Sequence, residues 1–456
     1  MMEVTPLDDW MARRMHASGM PPGAGPERYQ LERIRETVGY ARTHSRFYRA
    51  RLAHLDPSSI RSLADVARLP FTYPGDLAAG FADLLCVSPR EVERIVTLST
   101  SGTTAPPKRI AFTAADQELT VDFFHHGLST FTDRTDRVVV FMPGAAEGSV
   151  GDLLRRALAK LGADATIFGP ISECGQALET LFRSRASCVV GIPCQLLALS
   201  RYARSRVPAK PVRLKSVLLS ADYVAPAIIS ALEASWHCRV YGHYGMTEMG
   251  LGGAVECRAR AGYHMREPDL LFEIVDPGTG APVKDGEFGE VVFSTLTHRA
   301  MPLIRYRTGD LARILPGPCP CGSSSKRLDR VRGRMHEAVK LEDGQSLSMA
   351  DLDDALLGDP GVSAFSAELE TGAERDLLRL TVHPVREPAD TARWAARVRT
   401  IEPLDRLIRR NRLDLEIVRG NVPFFTTGTA KRRIADRRKA SAGRVPARGT
   451  PFTFAE

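Results

Sequence analysis

Short apolar runs at 137–141, 188–192 and 216–220, each bounded by turn residues, have the length and continuous hydrophobicity of strands buried on both faces. Between them, 152–160 and 176–185 carry apolar residues at helical spacing. Strands alternating with helices predict a parallel sheet in the middle of the chain, and ligands of such sheets sit beyond the carboxyl ends of the strands. From about residue 270 the pattern changes to LLFEIVDPGTGAPVKDGEFGEVVFSTL, strand residues separated by Gly/Pro/Asp turns, which predicts a hairpin-rich β region. Beyond Gly333, helix candidates at 350–357 and 389–410 and strands near 363–369, 377–382 and 413–418 predict a compact α+β module, with a boundary between Arg334 and Glu337. Residues from about Ser441 read as a loose Gly/Pro/Arg tail.

Composition narrows the class. With 456 residues, 43% hydrophobic and 25% charged, the chain is long enough for one large domain and a smaller one, and disorder is not indicated. No run approaches the ~20 apolar residues that span a bilayer, and the N-terminal stretch lacks the apolar core of a signal peptide, so no membrane partner is expected and the cytoplasm is the expected location. The formal charge of +8 is spread along the length, which suits a solvated surface. One dense basic run, from Lys431 to Lys439, reads as a basic helix end or as a nucleic-acid tail; the absence of interleaved aromatics weighs against nucleic acid. Eight cysteines scattered over a large chain favour free thiols or a metal site over a disulfide framework.

The segment 99–108, STSGTTAPPK, packs hydroxyls, turn-forming backbone and a terminal lysine into one loop. Gly102 among small residues lets amide groups turn inward, the hydroxyls of Thr100, Ser101, Thr103 and Thr104 add neutral donors, and Lys108 adds a positive charge, a combination suited to a polyphosphate. No glycine immediately precedes Lys108, so the loop is not GxxxxGK[ST], and no GxGxxG opens a helix after a strand. An ordinary polar surface turn is the alternative for such a cluster taken alone.

Three further segments, YGMTE (244–248), YRTGD (306–310) and GTAK (428–431), follow in order. Together with STSGTTAPPK they resemble the signature motifs of the adenylate-forming ligases. The N-terminal LERIRETVGYARTHSRFYRARL and VARLPFTYPGDL, and the later Cys257, Gly262, Tyr263 and His264, the Asp276-Pro277 turn, and Cys319, Cys321, Gly333 and Arg334, are similar to the phenylacetate-CoA ligase branch, over about residues 29–438. The resemblance implies an α/β fold: a large N-terminal adenylation domain (1–333) with parallel sheets and a β-rich subdomain, a small mobile α+β C-terminal domain (334–440) and a tail (441–456). It implies an ATP- and Mg²⁺-dependent enzyme that activates a carboxylic acid, with an aryl acid of the phenylacetate type as the expected substrate, as acyl-AMP and passes it to coenzyme A. Transfer to a carrier-protein thiol or another acceptor is the alternative, and a non-catalytic nucleotide-binding protein a second. A homodimer is compatible with the resemblance.

Residue by residue, the resemblance assigns Thr100, Ser101, Gly102, Thr103, Thr104 and Lys108 to the phosphates and Glu248 to Mg²⁺. Tyr244 would stack on adenine, the strand end Ser220, Ala221 and Asp222 would line the adenine pocket, and Gly245, Met246 and Thr247 would belong to the same ATP site. Asp310 would accept from the ribose hydroxyls, a task for a carboxylate that offers acceptors only, and Arg334 would lie near ribose and phosphate. Lys431 would bridge the substrate carboxylate and the α-phosphate. Tyr241, Gly242 and His243, just before YGMTE, are candidates for the acyl pocket, and His125 and His126 either touch substrate or lie on a helix surface. Two residues depart from the family pattern: Ala105 replaces a second loop glycine, and His336 stands at the expected hinge where an aspartate is common, as a titratable hinge or a neutral substitution. Cys257, His264, Cys319 and Cys321 are either reduced thiols with a histidine or a Cys₃His set suited to structural Zn²⁺.

Overall fold

The computed structural model describes residues 3–21, 25–98, 106–206, 211–335, 337–372, 374–386, 388–420 and 431–438. The chain divides into two compact units. The first comprises Met1–Arg134, Ala146–Ala163 and His243–Val331, the second Thr135–Ala145, Asp164–Gly242 and Arg332–Glu456.

In the first unit the expected hairpin region is a three-stranded antiparallel sheet, Leu270–Val275, Gly289–Thr295 and Tyr306–Ala312. Nearly every residue of the first two strands is buried, because helix Pro26–His44 covers the sheet with Ile34, Val38 and Ala41. A separate hairpin pairs Arg94–Leu98 with Lys108–Phe112, Leu98 facing Lys108. Lys108 therefore begins a strand whose later residues Ile110, Ala111 and Phe112 enter the core. The helix Ala114–Leu128 opens on a capping box in which Thr113 and Asp116 satisfy each other's backbone amides.

In the second unit the parallel sheet has the spatial order Asp164–Ile167, Arg137–Phe141, Cys188–Gly191, Ser216–Leu219 and then the strand that starts at Arg239. All four residues of Cys188–Gly191 and of Ser216–Leu219 are buried, as continuous apolar runs require in a sheet covered on both faces. After Arg332 the chain forms a second sheet in the order Leu413–Arg419, Asp376–Pro384, Val362–Thr371 and Ala435–Asp436, the middle pair antiparallel and the outer pairs parallel. The helix expected over 389–410 is two helices, Thr391–Val398 and Glu402–Arg409. Pro403 explains the break: it has no amide hydrogen to continue the first helix but fits the opening turn of the second.

Candidate active site

YGMTE and YRTGD both lie in the first unit, on different sheets, and are braced to each other twice. The Tyr244 hydroxyl donates to Asp310 Oδ2 at 2.9 Å, and the Tyr306 hydroxyl donates to Glu248 Oε1 at 3.0 Å. Lys108 Nζ reaches the same Glu248 oxygen at 2.6 Å. Glu248 is 2% exposed and Asp310 3%, so both carboxylates are held by named donors rather than by bulk water.

Local sequence makes each presentation possible. Glu248 sits in a single 3₁₀ turn, Thr247–Met249, ended by Gly250 at φ 69°, whose carbonyl accepts from Thr120 Oγ1 at 2.7 Å. Gly245 has no substitute here, since a Cβ would lie 2.0 Å from the Leu251 carbonyl oxygen. Met246 caps this turn, and its carbonyl accepts from both Met249 and Leu251 amides. Asp310 is aimed by a bulge: pairing of Gly289–Thr295 with Tyr306–Ala312 shifts register between Glu290 and Val292, and Gly309 takes φ 75°. Buried Glu290 holds the bulge, accepting the Gly309 amide at 2.9 Å and Arg307 Nε at 2.7 Å, while Thr308 Oγ1 donates to the Val291 carbonyl at 2.7 Å. Glu290 was not legible as part of the site, because its only signal is a register that the linear sequence does not display.

His243 immediately precedes YGMTE. Its ring lies 6.4 Å from Phe123 and 5.9 Å from Phe124, and burial pushes its pKa down to about 4, so the imidazole is neutral at physiological pH. His126 serves structure: Nδ1 meets the Asp122 carbonyl at 2.9 Å and the ring stacks on Trp10 at 5.8 Å.

In the second unit, Ser220, Ala221 and Asp222 occupy the carboxyl end of Ser216–Leu219, the Ser220 amide bonding the Gly191 carbonyl at 3.1 Å. Ala221 adopts φ 76°, a conformation unfavourable to a residue with a Cβ and of the kind concentrated where backbone is held for function. Tyr241 and Gly242 end the parallel pairing of the adjacent strand, Arg239–Tyr244. Arg334 is half-buried with Nη1 3.8 Å from Glu337, and Lys431 is exposed. The next residue, Arg432, has a side chain only 9% exposed and makes a two-pronged pair with Asp353 at 2.8 and 2.5 Å, its Nε 3.6 Å from Asp222. Thr100, Ser101, Gly102, Thr103, Thr104, Ala105 and His336 lie outside the described residues.

Cys257, His264, Cys319 and Cys321 converge in the first unit, all buried, their ligand atoms within 4.8 Å of one another. Cys257 Sγ is 3.6 Å from Cys319 Sγ, and Cys321 Sγ is 3.7 Å from His264 Nε2. Burial holds the Cys257 thiol up at about 12 and lowers His264 to about 4. Three soft sulfurs and a neutral imidazole nitrogen in one small buried volume fit tetrahedral Zn²⁺ with no position left for substrate, the pattern of a structural site.

Mixed α/β architecture with a parallel sheet and ordered motifs of this kind define an adenylate-forming enzyme. The family described as AMP-binding enzyme matches residues 81–297. The phenylacetate-coenzyme A ligase of Thermus thermophilus is 30% identical over 340 residues, covering 73% of this chain and 75% of the relative. That of Escherichia coli is 29% identical over 318 residues, covering 68% and 71%. The chain belongs to the phenylacetate-coenzyme A ligase family. A solved 2-hydroxyisobutyryl-CoA ligase, in the postadenylation state with 2-HIB-AMP, shares the fold at TM-score 0.78 and 22% identity, covering 92% of this chain and 94% of that one. No helix among the described residues is long and apolar enough to cross a membrane.

Proposed function

We propose that this chain joins a carboxylic acid to coenzyme A at the expense of ATP. A carboxylate cannot expel oxide, so one of its oxygens first attacks the α-phosphorus, the bond to the bridging oxygen of the β-phosphate breaks and pyrophosphate leaves. The thiol of coenzyme A then loses its proton and attacks the acyl carbonyl, and AMP departs with the bonding pair. Catalysis of the first step is mainly alignment and charge neutralisation between two anions.

The observation that carries this reading is the double bracing of Glu248 and Asp310 by Tyr306 and Tyr244, with Lys108 on Glu248. Glu248 is a hard oxygen donor suited to Mg²⁺, which commonly binds through one carboxylate and the substrate phosphates and would there offset phosphate charge. Lys108 stands where the loop of Thr100, Ser101, Gly102, Thr103 and Thr104 ends, so it would meet the same phosphates. Asp310 would take the ribose hydroxyls, Arg334 would lie near ribose and phosphate, and Lys431 would bridge carboxylate and α-phosphate in a C-terminal domain (334–440) that turns about His336. The neutral His243 beside Phe123 and Phe124 supports an aromatic acid. Zn²⁺ would be held by Cys257, His264, Cys319 and Cys321.

The test is ATP–pyrophosphate exchange across aryl, aliphatic and amino acids, followed by product analysis with coenzyme A. Exchange stimulated by aryl acids and lost in Lys431→Ala is expected. Absence of exchange with every acid would sink the adenylation reading, and an acyl-AMP that accumulates without thioester in the presence of coenzyme A would favour a carrier-protein thiol as acceptor.

A further inference from the structure

We propose that the N-terminal segment supports the Cys₃His cluster from outside, so that metal binding there docks the first helix against the wall of the acyl pocket. The inference rests on the zinc reading above. Three contacts tie residues 3–8 to the two cysteine loops. Glu3 Oε2 pairs with Arg258 Nη1 at 3.1 Å, next to Cys257. Val4 lies over Gly322, next to Cys321, where even a Cβ would come within 3.4 Å of Val4 Cγ2. Asp8 Oδ1 accepts from Ser323 Oγ at 2.7 Å.

The third contact is the end of a chain of hydrogen bonds that begins on a ligand. His264 Nδ1 is 2.7 Å from Ser325 Oγ, which is 2.7 Å from Ser323 Oγ. The Asp8 carboxylate accepts, so Ser323 spends its one hydroxyl proton on Asp8 and must accept from Ser325. Ser325 in turn spends its proton on Ser323 and accepts from His264 Nδ1–H. The imidazole is thereby fixed in the tautomer with its lone pair on Nε2, the nitrogen that faces Cys321 Sγ at 3.7 Å. That is the form a metal ligand needs, and partners of this kind set ring orientation and ligand basicity.

The same helix, Pro6–Ala17, carries the other half of the coupling. Leu7, Trp10 and Met11 are buried. Trp10 Nε1 donates to Asp122 at 2.7 Å and its ring lies 5.8 Å from Phe123, which faces His243. Metal that holds Cys319, Cys321 and His264 in register holds Ser323, hence Asp8, hence Trp10 against Phe123.

The experiment uses the full chain with zinc content measured by elemental analysis, hydrogen exchange over residues 6–17 before and after chelation, and KM for acid and for ATP. Chelation should raise exchange in the helix and raise the KM for the acid while leaving that for ATP unchanged. Asp8→Ala should speed zinc release to a chromogenic chelator by at least ~10-fold, with Asp8→Asn, which keeps an acceptor oxygen, restoring the slow rate. Bound zinc with helix exchange indifferent to its removal, or wild-type release from Asp8→Ala, overturns the inference alone. A chain that takes up no zinc when supplied with it overturns the zinc reading and the inference together.

Discussion

Removing the guanidinium of Arg432 should destabilise the second unit in a pH-dependent way and impair the first half-reaction selectively. The side chain is 9% exposed and its partner Asp353 1%, with Asp222 also within 3.6 Å, so Arg432→Gln leaves a buried carboxylate without its cation. Breaking a buried ion pair from one side costs about 3–5 kcal/mol. Burial already pushes Asp353 up to about 6 against the pull of Arg432. Without the arginine the native pKa rises further while the unfolded value stays where it is. The native state then binds the proton more readily than the unfolded one, so stability falls as pH rises from the unfolded pKa through the native one. The gap between wild type and variant should therefore be small at pH 5 and full at pH 8, read as the shift of the urea midpoint at each pH. A double variant, Arg432→Met with Asp353→Leu, should regain most of the loss, since the more buried carboxylate goes with its cation and Asp222, 16% exposed, keeps contact with water. Because the Arg432–Asp353 pair anchors the backbone next to Lys431, ATP–pyrophosphate exchange should fall by about 10²-fold, the cost of a misplacement near 1 Å, while thioester formation from supplied acyl-AMP is retained. Equal gaps at the two pH values, or equal losses in the two half-reactions, would refute the reasoning.

Two further outcomes follow from residues of the first unit. Gly245→Ala must move the Leu251 carbonyl, 2.0 Å from the new Cβ, and should cost about 1–3 kcal/mol and abolish exchange by displacing the Glu248 turn; an active variant of wild-type stability would contradict that geometry. His243 has a native pKa of about 4 against an ordinary 6.5, caused by burial, so the unfolded chain binds its proton first and stability is lost as pH falls from 6.5 to 4, by up to about 3 kcal/mol. His243→Phe should flatten that slope in chemical unfolding between pH 7 and 4, and an unchanged slope would mean that the imidazole protonates without cost.

What the sequence makes visible is what repeats along it. Continuous apolar runs report burial on both faces, so 137–141, 188–192 and 216–220 are legible as parallel strands, and the turn chemistry of DPGTG marks the loop between Leu270–Val275 and Gly289–Thr295. The long helix expected over 389–410 fails because periodicity survives across Pro403 while the backbone hydrogen bond does not. Motif residues are legible one by one, but their mutual hydrogen bonds are not, since Tyr244 and Asp310 are separated by 66 positions and meet only through the fold.

The hidden residues share a physical character. Glu290, Arg432 and Asp353 are charged groups buried where an apolar side chain would be the default, and each is satisfied by a partner distant in sequence. Glu290 holds the backbone bulge from which Asp310 projects, and Arg432 is held next to Lys431, so in both cases the buried charge stands beside a residue proposed for the site rather than in its place. Such a group costs desolvation that packing alone would avoid, and it is useful where a backbone must be held in one arrangement that an apolar contact, being non-directional, would not select. The same reasoning applies to Asp8: a carboxylate at the end of a serine chain imposes a direction on every proton back to His264, which no hydrophobic contact could do.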